Sequence, residues 1–394
     1  MKLIKTNLII YLVLFSIAIY PAPLLNKDTG MSYLLIIAMF FSACSILNKQ
    51  QFFKTELILY VFLIFLWVFP LISNSSSFRF STIMFTTLYV VSYVAYMKSL
   101  NRGAFSLEKY IVFLRAVIIA YFCMLVIQQL CVLFDLPVLN ANNYSPYNAW
   151  KLNALSAEPS HSARIIGVLM YSHLIMTELV NGKKFTLIDY FMKDKLLILS
   201  FLWLSLTMGS GTAFLMLALL ILRFFHLKDI WLMALLVGLG GVVVSGLDMQ
   251  AFERFTKFAS AVMSLNKEQM ILADHSASVR VVPFIIAADK LNIFSLSGIF
   301  GNGVDFTKSF MSIEFPGVKD DFTGGGLLSF ALEFGWPLYL IFLYVTFNQM
   351  VINRELLTFV FWFVLVVISG INTPLLWFSL FFLSTNKFFK RVIT

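Results

Sequence analysis

Three ionisable side chains lie three residues apart in the segment KLNALSAEPSHSARIIGVL: Glu158, His161 and Arg164. Pro159 suits the first position of a helix, where no backbone N–H is needed, so the three side chains would lie on adjacent turns. A carboxylate or imidazole there could accept a proton, and a guanidinium could bind a phosphate. An apolar run follows, and ionisable groups at the mouth of a membrane helix are candidates for function. A helix start with a charged collar at the membrane surface would give the same spacing.

A second segment, DHSASVRVVPFIIAADK, carries His275 and Arg280. The planar guanidinium of Arg280 suits bidentate binding of a phosphate. The phosphate could belong to a substrate or to a lipid headgroup, and the spacing does not distinguish the two. We predict a helix over about 276–291 that carries this arginine.

A third segment, DDFTGGGLLSFALEFGWP, begins with Asp320 and Asp321 and leads through a glycine run into an apolar stretch. Glu333 lies inside that stretch, where a carboxylate needs a partner, a water-filled cavity or a proton. Structural pairing and catalysis are both open for this residue. A fourth segment, LTMGSGTAF, contains Gly209 and Gly211 and predicts a tight turn between two helices.

Sequence motifs for metal or nucleotide binding are missing. The four histidines are scattered, and the sequence contains no HxxxH pair and no Asp-x-Asp. It also contains neither GxxxxGKS nor GxGxxG, the patterns that bind phosphates and dinucleotides. We therefore predict no metal site and no cofactor.

The composition predicts that most of this chain lies in lipid. Hydrophobic residues make up 60% of the sequence and charged residues only 12%, whereas soluble domains have about 25% charged residues. Backbone groups cannot remain unpaired in hydrocarbon, and the long apolar runs favour helices over a barrel. The net charge of +9 comes from basic residues spread between these runs, so we expect no nucleic-acid partner.

We predict an all-α, polytopic membrane bundle of about twelve transmembrane helices, with residues 1–394 forming a single unit. The seventh and eighth spans are short for a bilayer and would form either tilted helices or a broken pair that turns at residues 209–211. The predicted spans are 4–20, 31–47, 57–73, 80–97, 110–134, 160–180, 196–208, 212–226, 230–246, 327–349, 356–370 and 374–388.

Lysine and arginine are concentrated in alternate connections, which predicts that both termini are cytoplasmic. Two longer segments then lie outside, residues 135–159 and residues 247–326. The larger one would be partly helical, with an amphipathic helix at about 248–264 on the outer leaflet. Long extramembrane segments are seldom simple connectors, so a polar ligand at the outer membrane face is expected. Arg115, about a turn inside the fifth span, is expected to extend to the cytoplasmic surface.

Four local patterns together resemble the Wzy-type O-antigen and capsule polymerases, within the wider O-antigen polymerase and ligase superfamily. A basic residue, Lys151, stands seven residues before Glu158-Pro159-Ser160. GSGT lies between paired spans, SASVR precedes a helix and GNG, and GGGLLSFALEFGWPLYL opens the span after the large loop. The four patterns occur in the family's order and cover residues 150–345, about half of the chain.

The resemblance implies a GT-C-like glycosyltransferase in the bacterial inner membrane, with its active face in the periplasm. Such an enzyme is similar to those that transfer a growing glycan from undecaprenyl diphosphate to a new lipid-linked repeat unit. It would be independent of metal, invert the anomeric centre and work beside a chain-length regulator. Under this hypothesis Glu158 is the base, with His161 as the alternative, and Arg280 and Arg164 hold the diphosphate. The remaining candidates for binding diphosphate or glycan are Lys151, His275, Asp320 and Asp321.

Two departures from the family pattern bear on this interpretation. Lys151 stands where the family usually has arginine, so the charge is kept but the guanidinium fork is lost. The related ligases tend to have a histidine near the end of the large loop, where this chain reads KDDFTGGG. This difference favours a polymerase over an O-antigen ligase. A flippase or secondary transporter remains an alternative of another class, although no internal repeat is visible. A membrane protein without catalysis would leave the charged segments unexplained.

Overall fold

A computed structural model gives the fold of this chain. It describes residues 2–19, 33–44, 54–73, 80–103, 105–140, 144, 146–224, 257–258, 260–273, 275–318, 324–371 and 373–393. Within these ranges the regular elements are all helical, as the composition predicts.

The longer helices form one bundle, and short helices lie in the connections between them. Those of the first half are α1 (Lys2–Ala18), α2 (Tyr33–Cys44), α3 (Lys54–Ile72), α4 (Phe80–Asn101), α5 (Leu107–Leu133), α6 (Pro159–Asn181), α7 (Leu187–Lys193), α8 (Lys195–Thr207) and α9 (Gly211–Leu222). Those of the second half are α10 (Lys267–Ala273), α11 (His275–Lys290), α12 (Leu296–Phe300), α13 (Lys308–Glu314), α14 (Gly326–Phe334), α15 (Trp336–Met350), α16 (Leu356–Trp362) and α17 (Pro374–Ile393).

Four of the described helices are long and apolar enough to cross a membrane: α3, from Thr55 onward, and α4, α5 and α6. They support the prediction of a membrane protein. The other predicted spans also coincide with helices, several of them short or interrupted, and a total of twelve crossings stays a prediction. The predicted span at 230–246 lies outside the described residues.

Helix α6 is the centre of the bundle and packs against α5, α9 and α17. Its positions are buried along almost the whole length, from Pro159 to Glu178. Gly167 allows α9 to approach closely, because a Cβ there would lie 3.0 Å from the Cβ of Met216. Small residues at helix contacts permit such tight packing in membrane proteins.

One end of the bundle is joined by a cluster of buried charges. Arg223, at the end of α9, lies 3.0 Å from Glu178 of α6 and 3.6 Å from Glu355, which precedes α16. Lys390 of α17 lies 3.1 Å from the other oxygen of Glu355. The C-terminal ends of α6, α9 and α17 therefore meet here, and we name this the inner end.

Arg115 also has a partner at the inner end, which the sequence did not reveal. Its Nε and Nη2 donate to the two carboxylate oxygens of Asp194, at 2.5 and 3.3 Å. Partial burial acts to raise the pKa of Asp194. The hydrogen bonds from Arg115 and from the Leu197 N–H together outweigh this effect, so the pKa lies below its ordinary value. Arg115 was expected to extend to the cytoplasmic surface, and its side chain is 44% exposed. Its partner could not be predicted, because Asp194 is 79 positions away in the chain.

The opposite, outer end contains a broken helix. The span predicted at 327–349 consists of two helices, α14 and α15, because Gly335 interrupts it with φ 90° and ψ 150°, a conformation that favours glycine. The last carbonyl groups of α14 accept hydrogen bonds from the GNG turn. The N–H groups of Asn302 and Gly303 donate to Leu332 O and Glu333 O at 2.8 and 3.1 Å. The GNG turn is thus a cap for a helix broken inside an apolar stretch.

Described parts of the two segments predicted to lie outside the membrane share one end of the bundle, which we call outer after the predicted topology. Residues 146–158 lead into the start of α6, and the GNG turn lies beside the start of α15. The charged residues of the inner cluster lie at the other end. Which end faces the cytoplasm stays a prediction.

The large outer segment is partly helical, as predicted, and has a small hydrophobic core of its own. Helix α11 confirms the helix expected at about 276–291. The amphipathic helix expected at about 248–264 lies mostly outside the described residues, although residues 260–263 are helical. The core residues of this segment are Ala261, Met270, Val282, Ile286, Met311 and Phe315.

Candidate functional site

The start of α6 brings a carboxylate and an imidazole together. Glu158 is the extended N-cap residue and Pro159 occupies the first helical turn, as the sequence predicts. The Nε2 of His161 lies 3.2 Å from Oε1 of Glu158, and the Ser160 hydroxyl donates to the same oxygen. The two side chains are 38% and 31% exposed, so the pair is held in place but remains open at its outer side. Such a pair can accept a proton from a hydroxyl group.

Arg164 lies one turn further along α6 and is half-buried. Its Nε donates to the carbonyl oxygen of Ser160 at 3.3 Å. The same serine therefore connects the carboxylate above it with the guanidinium below it. Glu158, His161 and Arg164 form one local group, which we name the α6 mouth.

The loop before the α6 mouth is fixed by Gln128, a fully buried residue of α5. Its Nε2 donates to Leu139 O at 2.7 Å and to Asn153 Oδ1 at 2.9 Å. Its Oε1 accepts from the backbone N–H of Ala154 at 2.8 Å. Asn140 adds a second anchor, because its Nδ2 donates to the carbonyls of Ala154 and Ser156 at 2.8 and 2.9 Å.

Two buried serines fix the backbone of Glu158 itself. The Ser156 hydroxyl donates to the Glu158 carbonyl at 2.9 Å and lies 2.7 Å from the Ser162 hydroxyl. Ser162 donates in turn to the carbonyl of Asn153. Gln128, Ser156 and Ser162 thus form a hydrogen-bonded polar base beneath the α6 mouth. The buried Oδ1 of Asn140 has no hydrogen-bond partner among the described residues.

Lys151 lies beside the turn that joins α8 to α9. A Cβ on Gly209 would lie 3.2 Å from Trp150 O and 3.3 Å from Lys151 Cα, and Gly209 has φ +68°. The Lys151 side chain is exposed. The predicted turn between the seventh and eighth spans is confirmed, and it supports the segment that leads to Glu158.

Arg280 lies on α11, but its side chain is outside the described residues, and so are Asp320 and Asp321. Helix α11 packs on α14, where a Cβ on Gly325 would lie 2.9 Å from Pro283 O. Helix α14 contacts a turn of π-helix at 363–367, this turn contacts α17, and α17 packs on α6. That chain of contacts connects α11 to α6.

His275 has a local role in the outer segment. Its ring stacks on Phe315 with centroids 5.3 Å apart, and its Nε2 lies 3.1 Å from the carbonyl of Pro316. These contacts fasten the start of α11 to the end of α13. Glu333 also has a partner, because the Thr307 hydroxyl donates to its Oε1 at 2.6 Å. The structural pairing considered for Glu333 is therefore present.

The polar base beneath the α6 mouth was missed in the sequence. The one visible signal was the pair of glutamines, Gln128 and Gln129, inside the fifth predicted span. Polar side chains in a membrane helix need partners, but the partners lie 11 to 26 positions away. Among the described residues, no group of three or more His, Cys, Asp or Glu side chains is placed to hold a metal ion.

Comparison of the chain with protein-family models, with curated proteins and with solved structures finds no match. The candidate site therefore rests on its own geometry and on the sequence patterns.

Proposed function

We propose that this protein is a glycosyltransferase that polymerises oligosaccharide repeat units linked to undecaprenyl diphosphate. It works at the outer face of a bacterial cytoplasmic membrane and transfers the growing glycan to a new lipid-linked repeat unit. The observation that carries this proposal is the α6 mouth, where Glu158 contacts His161 one turn from Arg164.

The chemistry requires a base near the hydroxyl group of the acceptor sugar and a cation near the departing diphosphate. A hydroxyl oxygen of the acceptor sugar forms a bond to the anomeric carbon as the bond from that carbon to the diphosphate breaks. The diphosphate leaves with the electron pair, and the hydroxyl proton passes to Glu158. Positive charge near the leaving group stabilises the negative charge that develops there.

The candidate residues share the tasks of this scheme. Glu158 accepts the proton, and His161, in contact with it, orients the carboxylate or takes the proton in its place. Arg164 supplies positive charge from the next turn of α6, and Lys151 adds charge at the rim. Arg280 is the second cation, and Asp320 and Asp321 accept hydrogen bonds from hydroxyl groups of the glycan. His275, which contacts Phe315 and the Pro316 carbonyl, holds the start of α11 in place.

The contacts between the four sequence patterns support this proposal. Gly209 of GSGT packs against Lys151, so the first two patterns are adjacent. Gly325 of GGG approaches Pro283 of α11, and the GNG turn caps α14, so the last two patterns are adjacent as well. The four patterns, which are far apart in the chain, thus lie as two adjacent pairs at one end of the bundle.

A strain deleted for this gene and complemented with variants tests the proposal. With Glu158→Gln, the surface polysaccharide should collapse from a ladder to single repeat units. The matched control is Glu108→Gln, the same exchange at an exposed residue of the inner end, which should restore the full ladder. Membrane levels and melting temperatures of the tagged proteins verify folding.

Three outcomes would contradict the assignment. A full ladder from both Glu158→Gln and His161→Ala would remove the α6 mouth from the reaction. Loss of every repeat unit from the lipid A core in the deletion strain would indicate a ligase. Repeat units retained at the cytoplasmic face would indicate a transporter.

A further inference from the structure

Three apolar side chains project where the chain enters α12. Phe294 is 97% exposed, Leu296 is 76% exposed and Ile293 is 48% exposed. We name Ile293, Phe294 and Leu296 the apolar tip. Clustered exposed side chains of this size mark a surface that contacts another apolar phase or protein.

Two contacts fix the apolar tip against the outer end of the bundle. The indole Nε1 of Trp336, the first residue of α15, donates to the carbonyl of Ile293 at 3.0 Å. The ring of Phe300 in α12 packs edge-on against Phe69 of α3, with centroids 5.2 Å apart. The tip therefore has a defined position beside α3.

The surface of α3 beside the tip is apolar and exposed along its whole length. Leu57, Ile64 and Leu71 are 63%, 60% and 73% exposed, and Ile72 at the outer end is 53% exposed. Because α3 is long and apolar enough to cross a membrane, this surface is suited to contact lipid chains. The apolar tip extends the same surface beyond the end of α3.

A crevice of about 490 Å³ separates the tip from α3. Ile72 and Ser73 form one side, and Leu296 and Phe300 belong to the other. An open crevice with these walls has room for part of a lipid acyl chain. Trp336 suits the boundary, since tryptophan has an apolar ring and a polar N–H and is enriched at membrane interfaces.

We propose that the apolar tip inserts into the hydrocarbon of the outer leaflet and anchors the large outer segment to the bilayer. Its partner would be the acyl chains of membrane lipids that contact the exposed apolar surface of α3. The anchor does not depend on the proposed glycosyl transfer.

Fluorescence quenching in lipid vesicles tests this. In a full-length chain whose native Cys44, Cys123 and Cys131 are replaced by serine, Phe294→Cys is labelled with bimane. The protein is reconstituted into vesicles of phosphatidylethanolamine and phosphatidylglycerol with or without brominated acyl chains. Leu71→Cys is the control for lipid contact, and Glu268→Cys, at an exposed position of α10, is the control for water contact.

Brominated lipids should quench the label at position 294 at least half as strongly as the label at position 71, and iodide should quench it weakly. The Glu268→Cys label should show the reverse pattern. Strong quenching by iodide without quenching by brominated lipid would overturn the proposal. Protection from both quenchers would indicate a protein cover and would overturn it as well. Leu296→Cys repeats the measurement if Phe294→Cys does not fold.

Discussion

Replacing Gln128 by leucine should detach the outer loop while preserving the size of the side chain. Gln128 is fully buried and makes three hydrogen bonds to that loop. Leucine cannot make any of them, so the Leu139 carbonyl, the Asn153 amide oxygen and the Ala154 N–H lose this partner. The backbone before Glu158 would then be held mainly by Asn140 and the two serines.

The magnitude follows from the number of bonds lost. A buried polar group left unsatisfied costs about 1–3 kcal/mol. Two of the three groups, Asn153 Oδ1 and the Ala154 N–H, are buried, so their loss destabilises the closed loop by about 2 kcal/mol or more. This shifts the equilibrium between closed and open loop roughly 30-fold toward the open form. Because Glu158 and His161 lie at the end of this loop, polymer synthesis should fall with the closed population.

Two measurements on the same variant check this reasoning. The Gln128→Leu protein in detergent should melt several degrees lower, and limited proteolysis should cut within residues 135–158 much faster. The matched control is Gln129→Leu, because Gln129 bonds to Trp203 and Thr207 of α8 and not to the loop. A Gln128→Leu protein with normal melting, normal proteolysis and full-length polymer would refute the role given to the loop.

Two further predictions concern packing and charge. Gly209→Ala should lower the melting temperature, because the added Cβ crowds Trp150 O and the left-handed backbone costs a non-glycine residue about 1–2 kcal/mol. The control Gly211→Ala should leave the melting temperature unchanged, since a Cβ there meets open space. Equal melting temperatures for the two variants would contradict this prediction. Glu355→Gln should destabilise the inner end by about 3 kcal/mol, because the buried carboxylate that pairs with Arg223 and Lys390 is lost. An unchanged free energy of unfolding in a denaturant titration would contradict this prediction.

Local features of the fold could be predicted from the sequence because their causes are local. Pro159 after Glu158 predicts where α6 begins, and glycines 209 and 211 predict the turn before α9. Apolar length predicts the positions of the helices in the bundle. The break at Gly335 was not predicted, because hydropathy is continuous there and one glycine does not reveal a left-handed conformation.

The connections that build the site have no local cause and could not be predicted. Arg115 pairs with Asp194, and Thr307 bonds to Glu333, across 79 and 26 positions of the chain. The charged residues of the α6 mouth were identified by their spacing, since three-residue steps place side chains together on a helix. Their support by Gln128 depends on how α5 packs against the loop, which only the fold reveals.

The most direct test of the central claim is glycan transfer by the purified protein. Proteoliposomes are supplied with one lipid-linked repeat unit, and the products are separated by size. The wild-type protein should convert single units into a ladder and release undecaprenyl diphosphate, while Glu158→Gln should lose at least 100-fold in rate and retain its melting temperature. Equal rates for the two proteins, or no ladder from a well-folded wild-type protein, would contradict the claim that the α6 mouth catalyses the transfer.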